Sequence, residues 1–334
     1  MQYNKKIVRY LLLVLIIILG SIYIWQGIYL PINKTSKEEI IFSVRKGEGT
    51  KEIAINLERE KLTKMATLFR IYTIFAGISN KLQAGEYSLS PSMIMPEIAK
   101  KFVSGDIIEE QITIIEGWDL RDLAEYLRGK GFNKDEFLQL TKKDFSGDYD
   151  FLKDKPKDLS LEGYIFPDTY KMKKGETLED IINKTLQNFD KRLTQGLRQE
   201  IKNQNKTIFE IVTMASMIEK EVKTLEDKKI VSGILWKRLQ NDIPLQVDAT
   251  ISFITGRKGD SVSIEETKID SPYNTYKYRG LPLGPICNPG LESIIAAIYP
   301  ESSDYWYYLS TPDGKIIFSK TLEEHNIAKE KYLK

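Results

Sequence analysis

A long, predominantly apolar run of residues lies near the N-terminus. Leu11 to Leu30 contains no charged residue, and about 20 residues at about 1.5 Å each span the roughly 30 Å hydrocarbon core of a bilayer. Basic residues precede the run, and positive charge is retained on the cytoplasmic side. The pattern predicts a cytoplasmic N-terminus over residues 1–10, a single transmembrane helix over 11–30 and an extracytoplasmic remainder. The basic residues are Lys5, Lys6 and Arg9.

A cleaved signal peptide is the alternative interpretation of this segment. Its apolar run is longer than the usual signal-peptide core, however, and no small-x-small cleavage site follows it. We therefore expect a retained anchor in the plasma membrane, followed by a short polar linker over residues 31–39.

Beyond the linker, a strand-turn-helix pattern recurs. FSVRKGEGTKEIAINL (42–57) aligns without gaps with ITIIEGWDLRDLAEYL (112–127), and weaker copies lie at 87–102 and 169–184. In each copy, alternating apolar residues precede a turn, and apolar residues at helical spacing follow it. The sequence therefore predicts four repeated units, each made of a strand, a turn and a helix.

The first copy carries the pattern V-x-K-G-x-x-x-x-x-I-A-x-x-L. It resembles the LysM module, a small β-α-α-β fold that binds glycans containing N-acetylglucosamine. The alternative is that the glycine only permits a turn and the Ile-Ala-Leu set only packs a core. We expect an α+β protein with a small LysM-like subdomain over residues 40–110 and a larger mixed α/β domain over 111–334.

The larger domain has further helix and hairpin signals. Apolar periodicity predicts two long helices over Ile201–Lys223 and Leu225–Gln240, and a third around Ile294–Ile298. Residues 305–319 predict a hairpin with Asp313-Gly314 at its turn.

Composition excludes several classes of chemistry. Lys plus Arg number 49 against 47 for Asp plus Glu, a net charge of +2, so no strong positive field calls for nucleic acid. One cysteine, Cys287, and one histidine, His325, allow neither an internal disulfide nor the usual zinc sites. We expect no metal and no cofactor, with Cys287 packed as a small hydrophobe and His325 in a local hydrogen bond. Any catalysis should fall to carboxylates.

Two glutamates end an unusually apolar helix, IFEIVTMASMIEKEV (208–222). At about 100° per residue, Glu219 lies within roughly 40° of Ile208, Val212 and Ala215, and such an apolar face favours a protonated carboxyl. A protonated carboxyl is what a glycosidic general acid requires. Glu221 also neighbours apolar residues, so periodicity does not choose between the two. Either could equally be an ordinary surface glutamate at a helix end.

Three loop segments are rich in Asn, Gln, Tyr, Gly and Pro: LEGYIFPDTY (161–170), PLQVDAT (244–250) and SPYNTYKYRGLPLGPICNPG (271–290). Amides and hydroxyls hydrogen-bond sugar hydroxyls, and aromatic rings stack on sugar faces. This composition suits a sugar-binding groove. The alternative is a set of tight connecting loops with buried tyrosines.

Taken together, six ordered motifs resemble the endolytic murein transglycosylase family (MltG or YceG-like), from about Phe42 to the C-terminus. The motifs are EGWDLRDLAEYL (116–127), LEGYIFPDTY (161–170), ASMIEKEV (215–222), IPLQVDATISF (243–253), SPYNTYKYRGLPLGPICNPG (271–290) and HN (325–326). The resemblance implies a peptidoglycan lytic transglycosylase. Such an enzyme cuts the MurNAc–GlcNAc β-1,4 bond within a strand while the 6-hydroxyl of the sugar closes a 1,6-anhydro ring.

The resemblance also assigns residues. It implies that Glu219 protonates the leaving oxygen and then accepts the proton of the 6-hydroxyl. One carboxylate suffices because the nucleophile is intramolecular and already positioned. The substrate-binding candidates carried over from the family motifs are Gln246, Asp248, Thr250, Tyr273, Asn274, Thr275 and Tyr276, with Glu162 and Tyr164 in addition. Asn288 and Pro289 are expected to shape a loop.

The family association implies partners and a role. Peptidoglycan strands are the expected substrate, peptidoglycan synthases are the expected protein partners, and termination of nascent strands is the expected role. Two alternatives remain: a muramidase-type hydrolase with Asp248 as its second carboxylate, and a membrane-tethered peptidoglycan-binding scaffold without catalysis.

Overall fold

The computed structural model describes residues 5–173, 175–257 and 262–333. The first four residues of the predicted cytoplasmic segment therefore lie outside the described residues. The chain divides into two compact units: unit 1 contains Met1–Glu110 and Lys171–Gly175, and unit 2 contains Gln111–Tyr170 and Glu176–Lys334. The chain contains both helices and strands, with one apolar helix at the N-terminus, which confirms the mixed character of the predicted fold.

Unit 1 begins with the long apolar helix and continues as strand, helix, helix, strand. Its elements are α1 (Lys5–Tyr29), β1 (Ile40–Val44), α2 (Thr50–Arg59), α3 (Ala66–Phe75), β2 (Gly85–Leu89) and α4 (Met95–Ser104). β1 and β2 pair antiparallel, with Phe42 opposite Tyr87. The rings of both residues pack on Phe102 of α4. The observed element order is β-α-α-β, while the likeness to LysM stays a prediction.

Helix α1 has the length and composition of a membrane-spanning helix. Ile7–Tyr29 comprises 23 residues with a mean hydropathy of 2.6, and none of it is buried inside the protein over its most apolar window. The end of α1 packs on the rest of unit 1, because Ile28 belongs to the same core as Leu68 and the Tyr23 hydroxyl lies 3.3 Å from the sulfur of Met65.

Unit 2 is mostly helical. Its elements, with two strands that cross the unit boundary, are β3 (Glu109–Thr113), α5 (Leu120–Gly129), α6 (Lys134–Leu140), β4 (Thr169–Lys173), α7 (Leu178–Arg192), α8 (Gln195–Asn203), α9 (Ile208–Glu221), α10 (Leu225–Gln240), α11 (Asp248–Thr255), α12 (Leu291–Ile298), β5 (Tyr307–Ser310), β6 (Ile316–Ser319) and α13 (Leu322–Tyr332). β3 pairs with β4 and β5 with β6. Short 3₁₀ turns occur at Asp150–Leu152 and Glu266–Lys268.

The four predicted strand-turn-helix units are confirmed. They are β1–α2, β2–α4, β3–α5 and β4–α7, with Lys174 of the last unit outside the described residues. We call residues 45–49 (RKGEG) the first turn and residues 115–119 (IEGWD) the second turn. Gly47 and Gly117 occupy equivalent positions and have φ angles of 82° and 80°, a left-handed conformation that glycine adopts without steric cost.

One predicted helix is wrong, whereas its neighbours are confirmed. The segment Ile201–Lys223 is not continuous, because α8 ends at Asn203 and α9 begins at Ile208. Asn205 takes a left-handed φ of 53°, and Thr207 caps α9 by accepting a hydrogen bond from the Glu210 N–H at 3.1 Å. A left-handed residue and a new cap end one helix and start the next. The predicted helices at Leu225–Gln240 and Ile294–Ile298 are present, as is the 305–319 hairpin.

Helix α9 is the central element of unit 2. Every residue from Ile211 to Ile218 is buried, and α9 packs against α10, α11 and α12. A helix buried on all sides explains why its apolar pattern lacks a clear polar face. Its C-terminal end carries both candidate glutamates.

Candidate active site

Glu219 lies at the C-terminal end of α9, with its carboxylate held by three donors. Its Oε2 accepts hydrogen bonds from the Gly290 N–H at 3.0 Å and from the Ser293 hydroxyl at 2.6 Å. The Nζ of Lys228 lies 3.4 Å from the same oxygen, and the side chains of Lys228 and Glu219 are only 4% and 9% exposed. Gly290 precedes α12 and Ser293 lies in its first turn, where free N–H groups favour a negative charge. The side chain of Glu219 is largely withdrawn from solvent, but its carboxylate faces polar groups and not the apolar environment that the helical pattern indicates.

The second turn forms one wall of this site. The Gly117 N–H donates to the Asn288 carbonyl at 2.9 Å, and the Asn288 N–H donates to the Trp118 carbonyl at 2.8 Å. A side chain on Gly117 would contact Lys220 and the Cγ of Glu219. These would be ordinary van der Waals contacts, so the second turn packs directly beside the end of α9.

Glu116 brings a second carboxyl group to the site. Its carboxylate lies against Gly290, where an added Cβ would overlap it. Partial burial of the carboxyl raises the pKa of Glu116, the neighbouring Glu219 raises it further, and Lys228 opposes the rise. Glu116 and Glu219 therefore interact electrostatically around Gly290.

Asn288 fixes the loop that precedes α12. The residue is fully buried. Its Oδ1 accepts from the Ile165 N–H at 2.9 Å, and its Nδ2 donates to the Trp118 carbonyl at 2.9 Å. Asn288 thus shapes the loop, as the sequence predicts, and connects it to the second turn.

Glu221 has a different environment from Glu219. Burial raises the pKa of its carboxyl to about 7, and the charge of Asp248 adds to the rise, while hydrogen bonds from Tyr308 and from the Ala249 N–H oppose it. Burial therefore favours the protonated form of Glu221. Neither glutamate is fully exposed at the end of the helix, and the assignment of the catalytic role to Glu219 stays a prediction.

Three groove candidates surround the start of α11. Asp248 is exposed and accepts a hydrogen bond from the Tyr276 hydroxyl. Gln246 has a left-handed φ of 54°, and its Oε1 accepts from Nη2 of Arg238 at 2.8 Å. The structure thus brings together candidates that are up to 30 positions apart in the sequence.

Three further candidates are buried and hold the loops in place. The hydroxyls of Thr250 and Thr275 lie 3.0 Å apart, and the Thr275 hydroxyl also accepts from the Val247 N–H at 3.0 Å. The Asn274 side chain donates to two backbone carbonyls at 3.0 and 2.8 Å. Tyr273 is half-buried, with its ring 4.9 Å from that of Phe253. Of these four, only Tyr273 has a surface available to a ligand.

Glu162 and Tyr164 are core residues. The Glu162 carboxylate accepts from the Leu120 N–H at 3.0 Å, at the start of α5, and burial raises its pKa to about 8. Tyr164 is fully buried between the rings of Phe151 and Phe189. The alternative of a tight loop with a buried tyrosine describes this segment better than a sugar contact does.

The remaining candidates of the sequence do not form a catalytic group. Cys287 is fully buried, burial raises the pKa of its thiol well above the usual range, and the thiol donates to the Ser216 carbonyl. His325 stacks on Tyr307, and burial lowers its pKa to about 4. Its Nδ1 has no hydrogen-bond partner within the described part of the chain, so the predicted local hydrogen bond is not found there. Among the described residues, no group of three or more His, Cys, Asp or Glu side chains could hold a metal ion.

Sequence reasoning missed Lys228, Gly290, Ser293 and the position of Glu116. Lys228 had a detectable signal, because it shares a helical face of α10 with Val231 and Leu235, both fully buried. A lysine on a buried face needs a charged partner. The other three come together only through long-range packing.

Comparison with known proteins gives one consistent result. The family model described as YceG-like family matches residues 42–331. The chain is 34% identical to the endolytic murein transglycosylase of Bacillus subtilis over 331 residues, covering 95% of this chain and 91% of the relative. It is 32% identical to that of Streptococcus pneumoniae strain D39, covering 89% of this chain but only 59% of the relative. The crystal structure of a yceG-like protein from Listeria monocytogenes is similar, with a TM-score of 0.60 and 35% identity over 88% of this chain and all of that one.

Proposed function

Because the chain belongs to the YceG-like family, and its relatives are endolytic murein transglycosylases, we propose that it cleaves peptidoglycan as a lytic transglycosylase through Glu219. The observation that carries this proposal is the position of Glu219. A buried carboxyl at the end of the central helix faces backbone and side-chain donors beside the second turn. The resemblance inferred from the sequence motifs is confirmed by these relatives.

The proposed reaction uses one carboxyl group twice. Protonated Glu219 gives its proton to the oxygen that links MurNAc to GlcNAc, and this bond breaks. The 6-hydroxyl of the same MurNAc attacks the anomeric carbon, forms the 1,6-anhydro ring and returns its proton to the Glu219 carboxylate. The Gly290 N–H, the Ser293 hydroxyl and Lys228 stabilise that carboxylate between the two proton transfers.

The anchor helix limits where this reaction occurs. Helix α1 is long and apolar enough to span a bilayer, and the basic residues before it favour a cytoplasmic N-terminus. The rest of unit 1 packs on the end of α1 and would therefore lie near the outer surface of the plasma membrane. Newly made glycan strands emerge there, which supports a role in terminating strand growth beside peptidoglycan synthases.

Glycan binding by unit 1 remains a separate proposal. The first turn borders an open concavity of about 450 Å³. Most of its lining residues are polar or charged, and none carries an aromatic ring to stack on a sugar. The lining residues are Arg45, Lys46, Gly47, Glu48, Glu52, Ile55 and Asn56.

Hydrolysis is the second candidate reaction, and the pair formed by Glu221 and Asp248 favours it. Burial favours the protonated form of Glu221, and Asp248 is exposed. One proton-bearing carboxyl and one exposed carboxylate are the two groups that a hydrolytic glycosidase uses.

Digestion of purified peptidoglycan in water enriched in ¹⁸O separates the two reactions. We expect wild-type protein to release fragments with 1,6-anhydro ends and without ¹⁸O, because no water enters the transglycosylation. Reducing ends that carry one ¹⁸O would instead establish hydrolysis. The absence of any released fragment would favour the binding scaffold.

A further inference from the structure

The end of the anchor helix and the start of α3 lie side by side in unit 1. The Tyr23 hydroxyl lies 3.3 Å from the sulfur of Met65, the residue immediately before α3. Leu68, in the first turn of α3, belongs to the same core as Ile28. A side chain added to the buried Gly27 would overlap Leu68. The glycine thus lets α1 and α3 pack closely, so packing as well as the linker joins α1 to the rest of unit 1.

The contacts also fix the direction of α3 relative to α1. Met65 lies beside Tyr23, and Leu68 lies beside Gly27, so the two helices run in the same direction where they meet. Phe75 is the last residue of α3, and ten residues after Met65 correspond to about 15 Å along a helix. The start of α3 is therefore its end nearest to the middle of α1, and Phe75 lies farther away.

Tyr23 lies within the apolar segment that would cross the bilayer. That segment, Ile7–Tyr29, ends six residues after Tyr23, which is about 9 Å further along the helix. Tyrosine and tryptophan side chains near the end of a membrane span occupy the interface between lipid and water. Met65, at the level of Tyr23, would thus lie at or below the surface of the outer leaflet.

The side chains at the start of α3 suit such a position. Met65 is exposed, at 38%, and Lys64 before it is exposed as well. Methionine is flexible and apolar, so it adapts to the irregular packing of acyl chains. A lysine next to it lays its apolar stem along the lipid surface and keeps its charge among the phosphate groups.

We propose that the start of α3 is a second membrane-contacting surface, at which Met65 inserts into the outer leaflet and Lys64 binds lipid phosphates. The inference rests on the anchor in the proposed function and is independent of the chemistry at Glu219. Unit 1 is then docked on the bilayer at a fixed position and does not swing freely on the linker after α1.

The test places a fluorescent probe at either end of α3 in the full chain, reconstituted into nanodiscs of phosphatidylcholine and phosphatidylglycerol. Cys287 is fully buried, so the thiol-reactive dye NBD should label only an introduced cysteine, with the unsubstituted chain as the labelling blank. Met65→Cys and Phe75→Cys both put the dye at exposed positions. We expect the dye at position 65 to emit at shorter wavelength and to be quenched by nitroxide attached to the acyl chains. The dye at position 75 should emit as in water and be quenched by iodide.

A charge reversal tests the lysine separately. In the Met65→Cys chain, Lys64→Glu should reduce both the wavelength shift and the quenching by nitroxide, because a carboxylate is repelled by the phosphates. Lys51→Glu reverses an exposed charge at the start of α2 and should leave both unchanged. Equal effects of the two substitutions would contradict phosphate binding by Lys64.

Two results would overturn the inference as a whole. One is quenching of the dye at position 65 by iodide and not by nitroxide, and the other is stronger quenching by nitroxide at position 75 than at position 65. An alkaline carbonate wash of vesicles that carry the protein tests the anchor itself, because a released protein has no membrane-spanning helix. A protein that stays in the washed vesicles with a water-exposed dye at position 65 would contradict only the second surface, so the two failures are distinguishable.

Discussion

The first and second turns are copies of one structural unit with different surroundings. Each follows a short strand, contains a glycine with φ near 80° and precedes a ten-residue helix. At the first turn, a side chain added to Gly47 would meet nothing within 4 Å. At the second turn, one added to Gly117 would meet Lys220 and Glu219.

An asparagine holds each turn, but over different distances in the sequence. Asn56 donates to the Glu48 carboxylate at 2.7 Å, eight residues away. Asn288 donates to the Trp118 carbonyl, 170 residues away, and also accepts from Ile165. The first turn is thus stabilised locally, whereas the second is built into the packing around α9. The comparison shows that the local sequence pattern specifies the strand-turn-helix unit. Contacts with residues far away in the sequence then make the second turn, but not the first, part of the candidate active site.

Removing the two asparagines should show the largest difference. Asn288→Ala leaves the buried Ile165 N–H without its acceptor, so we expect a loss of about 2–4 kcal/mol in the free energy of unfolding. Activity should fall at least 100-fold, because the second turn loses its position beside Glu219. Asn56→Ala removes one partly exposed hydrogen bond and should cost about 1 kcal/mol or less with activity retained. Urea unfolding measures the free energy of unfolding, and peptidoglycan digestion measures the activity. Similar effects of Asn288→Ala and Asn56→Ala would contradict the proposed difference between the two turns.

Substitution of the two glycines should give a smaller and more selective effect. Gly47→Ala and Gly117→Ala each place a side chain at a left-handed φ, so each should cost about 1 kcal/mol or somewhat more. Only Gly117→Ala should also reduce activity, by about tenfold, because the backbone adjustment that relieves its left-handed strain moves a turn that packs beside Glu219. Thermal unfolding and the rate of peptidoglycan digestion, measured for wild type and both variants, check this prediction. An equal loss of activity in both variants would show that the position of the second turn beside Glu219 does not matter for the reaction.

The sequence predicted the locally encoded parts of this molecule well. The apolar anchor helix, all four strand-turn-helix units and the hairpin at 305–319 depend on periodicity and turn residues that lie close together. The one wrong helix, Ile201–Lys223, failed at Asn205, because apolar residues continue on both sides of a left-handed residue that periodicity does not register.

The site was predictable only in part. The pattern identified the end of α9 but did not choose between Glu219 and Glu221, because a helix buried on every side has no distinguishing face. Among the groove candidates, composition did not separate exposed Asp248 from buried Thr250, Asn274 and Thr275, since both kinds are polar loop residues. Ser293 and Gly290 contact Glu219 across more than 70 residues, and such contacts arise only when α12 packs against α9.

The matched pair Glu219→Gln and Glu221→Gln tests the central claim most directly. The measurement is the rate of fragment release from purified peptidoglycan at neutral pH, with folding of each variant checked by thermal unfolding. We expect Glu219→Gln to lose about 10²–10⁴-fold in rate, the usual contribution of a general acid, and Glu221→Gln to stay within about tenfold of wild type. Substantial activity in Glu219→Gln together with inactivity of a folded Glu221→Gln would contradict the account and place the acid at Glu221.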